Sequence, residues 1–317
     1  MKRWPIILAC LVGIGLTGCN RGVPPAGTEK LRIGFVMKVL NNPFFIRMEE
    51  GARQAARDLN VDLIVQAADR EIDVERQMQI IENLIEAKVN ALCITPSGSR
   101  EVVAAIAKAN QAGIPVLIVD TKVDEKTARE MNVKFVTFIG SDNHQGGLLA
   151  GQYFAKKFTQ PASVAILEGI PGHETHDSRL QGFMDGIQGV SQLKVAASQP
   201  ANTERDQGYN VCQNILQSHP DIQGVFATND MMALGAVEAI AAAGRKGQIA
   251  VVGFDAIDEA RQAIRDGIMA GSVAQFPDEM GRVAVESAVK VLRGETIPEN
   301  IPVKIELITK DNVDSVP

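Results

Sequence analysis

From Leu31 onward, short apolar runs alternate with longer segments in which apolar residues recur every three or four positions. Runs of the first kind fit buried strands and segments of the second fit amphipathic helices, so the pattern predicts an α/β protein with mostly parallel sheets. Strands are predicted near 31–37, 61–66, 90–94, 114–119, 134–139, 162–168, 193–198, 223–227, 249–253, 270–274 and 303–308. Asp73 to Ala87 shows the helical kind, with Met78, Ile81, Leu84 and Ile85 on one face and Glu75, Arg76, Glu82 and Glu86 on a solvated one. So many strands exceed one ordinary sheet, whereas two sheets of five or six are ordinary, and two lobes follow. The segment Ile139 to Asn143 lies midway between the two runs of βα units and is the natural crossover. Ligands of open parallel sheets bind beyond the carboxyl ends of the strands, which singles out Lys38, Asn42, Thr95, Asp120, Asn229 and Asp255.

The N-terminus departs from this alternation. Lys2 and Arg3 precede an apolar run from Ile6 to Leu16, and Leu16-Thr17-Gly18-Cys19 closes it. That order is a secretory signal, and the run is shorter than the about 20 residues of a membrane span. The last four residues resemble the lipobox of bacterial lipoproteins. The resemblance implies a signal peptide over 1–18, lipid on Cys19, and a tether over 19–30 that carries Gly22, Pro24, Pro25 and Gly27. More than one acyl chain is needed for stable anchoring. Asn20 after the cysteine leans toward outer-membrane sorting where the envelope has such a membrane. Cys10 leaves with the signal, and the remaining Cys93 and Cys212 form no disulfide framework and read as small buried residues.

Composition narrows the function. A chain of 317 residues with 45% hydrophobic and 22% charged residues can bury a substantial core. With 32 basic against 38 acidic residues the net charge is −6, and Lys and Arg form no long stripe, so nucleic acid is excluded as a partner. Neither GxxxxGK[ST] nor a GxGxxG after the first strand is present, and GxSxG, HExxH and CxxC are absent too. Gly146 to Gly151 reads as close packing at a helix start. His173-Glu174-Thr175-His176, flanked by Pro171 and Gly172, reads as a solvated or ligand-edge loop without a third metal ligand. No metal or cofactor is expected.

Asp120 and Asp255 each end an apolar run. Acid/base work, acceptance of hydrogen bonds from neighbouring ligand hydroxyls, and capping of the next helix are all open to them. Arg179 and Asn229 can donate to a ring oxygen or to other hydroxyls. Aromatics make up only 4% of the chain, so the adjacent Phe44 and Phe45 stand out, either as a helix-start core pair or as a stacking surface.

Several motifs together carry a resemblance running from about Leu31 to about Lys310. Leu40-Asn41-Asn42-Pro43-Phe44-Phe45 follows the first strand, Gly113-Ile114-Pro115-Val116 precedes Asp120, and Gly140-Ser141-Asp142-Asn143 with Gly146-Gly147 stands at the crossover. RLQGF at Arg179 to Phe183, FATNDMMALGA at Phe226 to Ala236, Val252-Gly253-Phe254-Asp255 and Ala274-Gln275-Phe276-Pro277-Asp278 complete the set. The chain resembles the ribose-binding-protein branch of the bacterial sugar-binding proteins that feed ABC importers. The resemblance implies the type I periplasmic binding protein fold, two similar doubly wound lobes with parallel sheets joined by a three-crossing hinge. Crossings are expected near Gly140, Gln275 and Lys304, giving an N-terminal lobe of 31–140 plus 276–304 and a C-terminal lobe of 141–275 plus 305–317.

The resemblance also implies a ligand cleft in which Phe44 and Phe45 sandwich a sugar ring while Asn42, Asp120, Arg179, Asn229, Asp255 and Gln275 bind hydroxyls. Four positions depart from the branch. Lys38 stands for a small hydroxyl residue, Thr95 for an asparagine, Thr121 for an arginine and Thr203 for an aromatic. Losing an aromatic and an arginine predicts a larger cleft. Lys38 adds a donor and a charge, to pair with Asp120 or Glu174 or to meet a ligand carboxylate or carbonyl. A lysine at this place also occurs in receptors for the furanosyl signal autoinducer-2.

The implied function is that of an exported, monomeric solute-binding lipoprotein. It captures a small carbohydrate, a monosaccharide or polyol, and delivers it to an ABC permease, with no bond made or broken and no catalytic residue. Presentation of the ligand to a chemoreceptor is compatible with this. Competing readings are a receptor for autoinducer-2 or a sugar acid, and a carbohydrate-active enzyme using Asp120 and Asp255. Regulators of the lactose-repressor type share the fold but carry a helix-turn-helix where this chain has a signal and lipobox.

Overall fold

The apolar runs become strands in the predicted order, and nearly every one leads into a helix. The first half reads β1 (Arg32–Met37), α1 (Pro43–Asp58), β2 (Asp62–Ala67), α2 (Val74–Glu86), β3 (Ala91–Ile94), α3 (Val102–Gln111), β4 (Val116–Val119), α4 (Glu125–Glu130) and β5 (Thr137–Gly140). The second reads α5 (Asn143–Lys157), β6 (Ala162–Glu168), α6 (Glu174–Gly186), β7 (Leu193–Pro200), α7 (Arg205–Ser218), β8 (Ile222–Ala227), α8 (Asp230–Ala242), β9 (Ala250–Asp255), α9 (Asp258–Arg265) and β10 (Gly271–Ala274). Then follow α10 (Pro277–Leu292), β11 (Asn300–Pro302) and β12 (Glu306–Thr309). This computed structural model describes Met1 and residues 30–316. The expected signal peptide, Cys19 and nearly all of the tether lie outside the described residues. No described helix is long and apolar enough to cross a membrane.

Two six-stranded sheets share one winding pattern, β2-β1-β3-β4-β5-β11 and β7-β6-β8-β9-β10-β12. Every strand pair is parallel except β10 with β12. The single strand predicted at 303–308 is a correction. Here the chain forms β11 and β12, one in each sheet, and passes between the sheets at 303–305. β11 lies before the predicted run and β12 begins only at Glu306, and Pro302, with no N–H to give a ladder, ends the edge strand β11.

Both faces of each sheet are covered, which is why central strands such as β3 and β4 are buried along their whole length. In the first sheet Ile33, Phe35, Cys93 and Leu117 face α1 and α10, while Val36, Leu92, Ile94 and Ile118 face α2 and α3. In the second, Val225 and Val251 join the core of α7 and α8, and Ile166, Phe226 and Val252 that of α5 and α6. The glycines after Asn143 serve close packing: a Cβ on Gly147 would run into the backbone carbonyl of Arg179, so α5 and α6 touch backbone to backbone. Cys93 and Cys212 are free and buried, and burial pushes each thiol up to about 12. In both sheets the winding reverses beside the first strand, and the carboxyl ends around that reversal carry the polar residues described next.

Candidate functional site

Lys38, Asn42, Phe44, Phe45 and Asp120 from the first sheet's end face Arg179, Asn229 and Asp255 from the second's, around a cavity of about 20 Å³. That volume holds about one water. Glu71, Thr175 and His176, which sequence reasoning did not select as site residues, complete the wall. The two ends meet directly where Thr121 Oγ1 lies 2.9 Å from Thr175 Oγ1.

On the first sheet, Asn42 caps α1 by accepting from the Phe44 N–H at 3.0 Å, and Pro43 opens the helix. This places Phe44 and Phe45 in the first turn with ring centroids 5.1 Å apart and planes at 87°. A sandwich of one sugar ring between these two is therefore excluded, because neighbours set edge to face cannot lie parallel on opposite sides of a third ring. The Lys38 ammonium is 3.7 Å from Asp120 and 3.8 Å from Glu71, and 5.8 Å from the Phe45 centroid. Of the pairings open to it, Asp120 is realised, Glu71 is added, and Glu174 instead accepts from the Ser178 hydroxyl at 3.0 Å. Burial raises the Glu71 carboxyl above the ordinary range, and Lys38 opposes it.

Asp120 and Asp255 both sit at positive φ, 65° and 112°. Such strain persists only where the surroundings enforce it. Asp120 is held by its backbone N–H on the Ile139 carbonyl and by the Thr121 hydroxyl, which donates to Oδ2 at 2.9 Å, while its buried Oδ1 has no partner among the described residues. Asp255 accepts from Gln275 Nε2 at 2.7 Å and lies 3.5 Å from Arg179. Burial raises its carboxyl well above the usual range against the pull of Arg179.

Arg179 is fixed on three sides. Nε donates to Asn143 Oδ1 at 2.9 Å, Nη1 to the Thr228 carbonyl at 2.7 Å, and the guanidinium stacks 3.8 Å over Phe254. Asn229 caps α8 through Met232 N and donates to the Thr203 carbonyl at 3.1 Å. Gln275 does not line the cavity and acts on Asp255. Thr95 is not in the wall either, since its hydroxyl turns back to the Val36 carbonyl at 3.3 Å. Thr203 sits at φ 66°, bonds its own neighbour's carbonyl, and lines an adjoining groove.

The His173 to His176 segment corrects the loop reading. His173 is the cap residue and His176 lies in the first turn of α6, both buried. Burial, with Lys38 nearby, pushes His173 down to about 3, and burial with Arg179 puts His176 well below its usual value, so both are neutral. His176 Nδ1 pairs with Thr228 Oγ1 at 3.3 Å. Among the described residues no group of three or more His, Cys, Asp or Glu side chains could hold a metal ion. What remains is a closed polar chamber with one aromatic wall, lined by hydrogen-bond donors and acceptors from both sheet ends.

Comparison with known proteins points the same way. The family model for the periplasmic binding protein domain matches residues 33–296. The chain is 39% identical over 278 residues to the ribose import binding protein RbsB of Escherichia coli strain K12, across 88% of this chain and 90% of that one. An ABC transporter periplasmic solute binding protein from Actinobacillus succinogenes 130z, solved with bound D-allose, superposes with a TM-score of 0.87 at 37% identity over 90% of this chain and 100% of that chain. A solute binding protein from Bacillus halodurans C-125 with bound myo-inositol gives a TM-score of 0.82 at 29% identity over 90% and 96%.

Proposed function

The chain belongs to the periplasmic binding protein domain family, and from that membership we propose that it is an exported solute-binding protein that closes on a small carbohydrate, a monosaccharide or polyol, and presents it to an ABC permease. The observation that carries this reading is the chamber itself, where charged and amide side chains from two facing sheet ends converge beside Phe44 and Phe45. Ligand touching both ends favours closure by its differential affinity, and nothing in the process needs a reaction. Residues 31–140 with 276–304 act as one lobe and 141–275 with 305–317 as the other. The lipobox pattern supports attachment of the exported protein to a membrane through Cys19, as a monomer that serves a permease and, where sensing accompanies uptake, a chemoreceptor.

A thermal-shift screen of the purified protein against pentoses, hexoses, polyols, sugar acids and autoinducer-2 tests the reading. Ligand at about a hundred times its dissociation constant stabilises by about 2.7 kcal/mol, a shift of several degrees. A shift with a neutral sugar or polyol recovered chemically unchanged is expected. Chemical conversion of the compound, or a response confined to autoinducer-2, refutes it.

A further inference from the structure

The chamber contains a carboxylate in the connection between β2 and α2, four residues beyond the strand. We propose that this residue, Glu71, acts with Lys38 and Asp120 to read one end of the ligand and restricts the site to uncharged polyhydroxy compounds, rejecting the matching sugar acids. The inference rests on the carbohydrate reading above and decides within it.

Glu71 is 8% exposed and faces both the chamber and the adjoining groove. Oε1 lies 3.5 Å from Asn42 Nδ2, the side chain that also caps α1, so the carboxylate sits beside the helix start that presents Phe44 and Phe45. Lys38 Nζ is 3.8 Å from Oε2 and 3.7 Å from Asp120 Oδ2. Both distances exceed the 2.7–3.2 Å or so of an N–H···O bond, so the ammonium is held by charge between two carboxylates without a hydrogen bond to either. An oxygen entering between these groups can accept from Lys38. To complete the contact it must also donate, because Glu71 and Asp120 accept, and Asp120 Oδ1 is buried without a partner among the described residues.

A hydroxyl does both, whereas an ionised carboxylate only accepts. A ligand carboxylate would also bring a third negative charge to an ammonium that already faces two. Elsewhere in the wall the other cation, Arg179, is engaged by Asp255, Asn143 and Thr228. Both cations of the wall already lie beside protein carboxyl groups, Lys38 beside Glu71 and Asp120 and Arg179 beside Asp255. Lys38 is thus the counter-ion of two protein carboxylates and a hydroxyl donor, and Glu71 sets that role.

The test is calorimetric titration of wild type, Glu71→Gln and Glu71→Asp with D-ribose, D-allose, myo-inositol, D-ribonate and D-allonate. Wild type is expected to bind a neutral compound and to bind the aldonates at least tenfold more weakly. Glu71→Gln should bind the neutral compound about tenfold to a hundredfold more weakly, the scale of a bond to a charged group, and should narrow the gap to the aldonate. Glu71→Asp, which keeps the charge, should weaken binding yet retain the gap. Wild type that takes an aldonate as tightly as its sugar overturns the inference, as does a Glu71→Gln protein with unchanged affinity and gap. Should Glu71→Gln fail to fold by its melting curve, the wild-type gap and its retention in Glu71→Asp decide the matter. Wild type that binds no neutral compound overturns the carbohydrate reading and this inference with it, whereas neutral binding untouched by Glu71→Gln overturns this inference alone.

Discussion

Thr121 and Thr175 touch across the cleft, and replacing each by valine should have unequal costs. Both side chains are buried, their hydroxyl oxygens are 2.9 Å apart, and Thr121 Oγ1 is also 2.9 Å from Asp120 Oδ2. Each hydroxyl has one proton to give. The carboxylate can only accept, so Thr121 donates to Asp120, and Thr175 must then donate to Thr121. Thr175→Val removes one neutral bond between the sheet ends and leaves the Thr121–Asp120 bond intact. That is worth about 1 kcal/mol, or about fivefold in affinity for the ligand found in the thermal-shift screen. Thr121→Val takes the donor from a buried carboxylate oxygen and strands the Thr175 hydroxyl. Its cost is on the scale of a bond to a charged group, about 1.5–3 kcal/mol, or about tenfold to a hundredfold. The double variant should be little worse than Thr121→Val, because Thr175 has nothing left to donate to. Calorimetric affinities across the cycle, with the interlobe distance followed by spin-label spectroscopy, measure both closure and binding. Thr175→Val costing as much as Thr121→Val, or two strictly additive losses, would refute the proton order and with it the role of Thr121 as a link between Asp120 and the opposite lobe.

Two further outcomes concern stability. Asp230 is buried, accepts from Ser272 Oγ at 2.6 Å and from the Ile257 N–H at 2.9 Å, and burial raises it to about 7. Its unfolded value is about 3.9, so between those limits the folded chain holds a proton that the unfolded chain has released. The protonated form's contribution is complete below about 3.9 and is lost as pH rises to about 7. Denaturation of wild type against Asp230→Asn should accordingly shift in the variant's favour by about 1.4 kcal/mol per pH unit across that window, and a pH-independent difference would contradict the assignment. Gly147→Ala places a Cβ against the Arg179 carbonyl and 2.8 Å from Phe183 N, so it should destabilise by about 1–3 kcal/mol and weaken ligand binding by displacing Arg179. A free energy of unfolding in urea within about 0.5 kcal/mol of wild type would show that α5 and α6 can separate freely.

How much of this was legible depends on which rule each residue obeys. Strands and helices follow apolar period, and Lys38, Asp120 and Asp255 follow from the rule that parallel sheets bind ligands at their strand ends, so both were readable locally. Strand β11 was not, because its three residues, with Asn300 and Pro302 exposed, form no apolar run of their own. Pro171-Gly172 correctly announced a break before His173, but gave no hint that α6 starts at once and carries both histidines inward. The residues that build the wall from behind were hardest to see. Gln77 is fully buried, donates to the Thr95 carbonyl at 2.9 Å and to the Met37 carbonyl at 3.3 Å, and accepts from Ser97 N, so one side chain ties the ends of β1 and β3 together. A signal for it did exist. Counted from Gln77, the buried Ile80, Ile81 and Leu84 fall at i+3, i+4 and i+7, so a polar side chain occupies a position of the apolar stripe. Burying an amide there is tolerable only if its bonds are made, and the unpaired backbone groups nearest a helix beside a parallel sheet are those just past the strand ends. A glutamine on the buried stripe in the first turn of such a helix therefore points at the ligand end of the sheet. Glu71 offers no equivalent sign, since it lies in an irregular connection and is brought to Lys38 by the path of the chain alone.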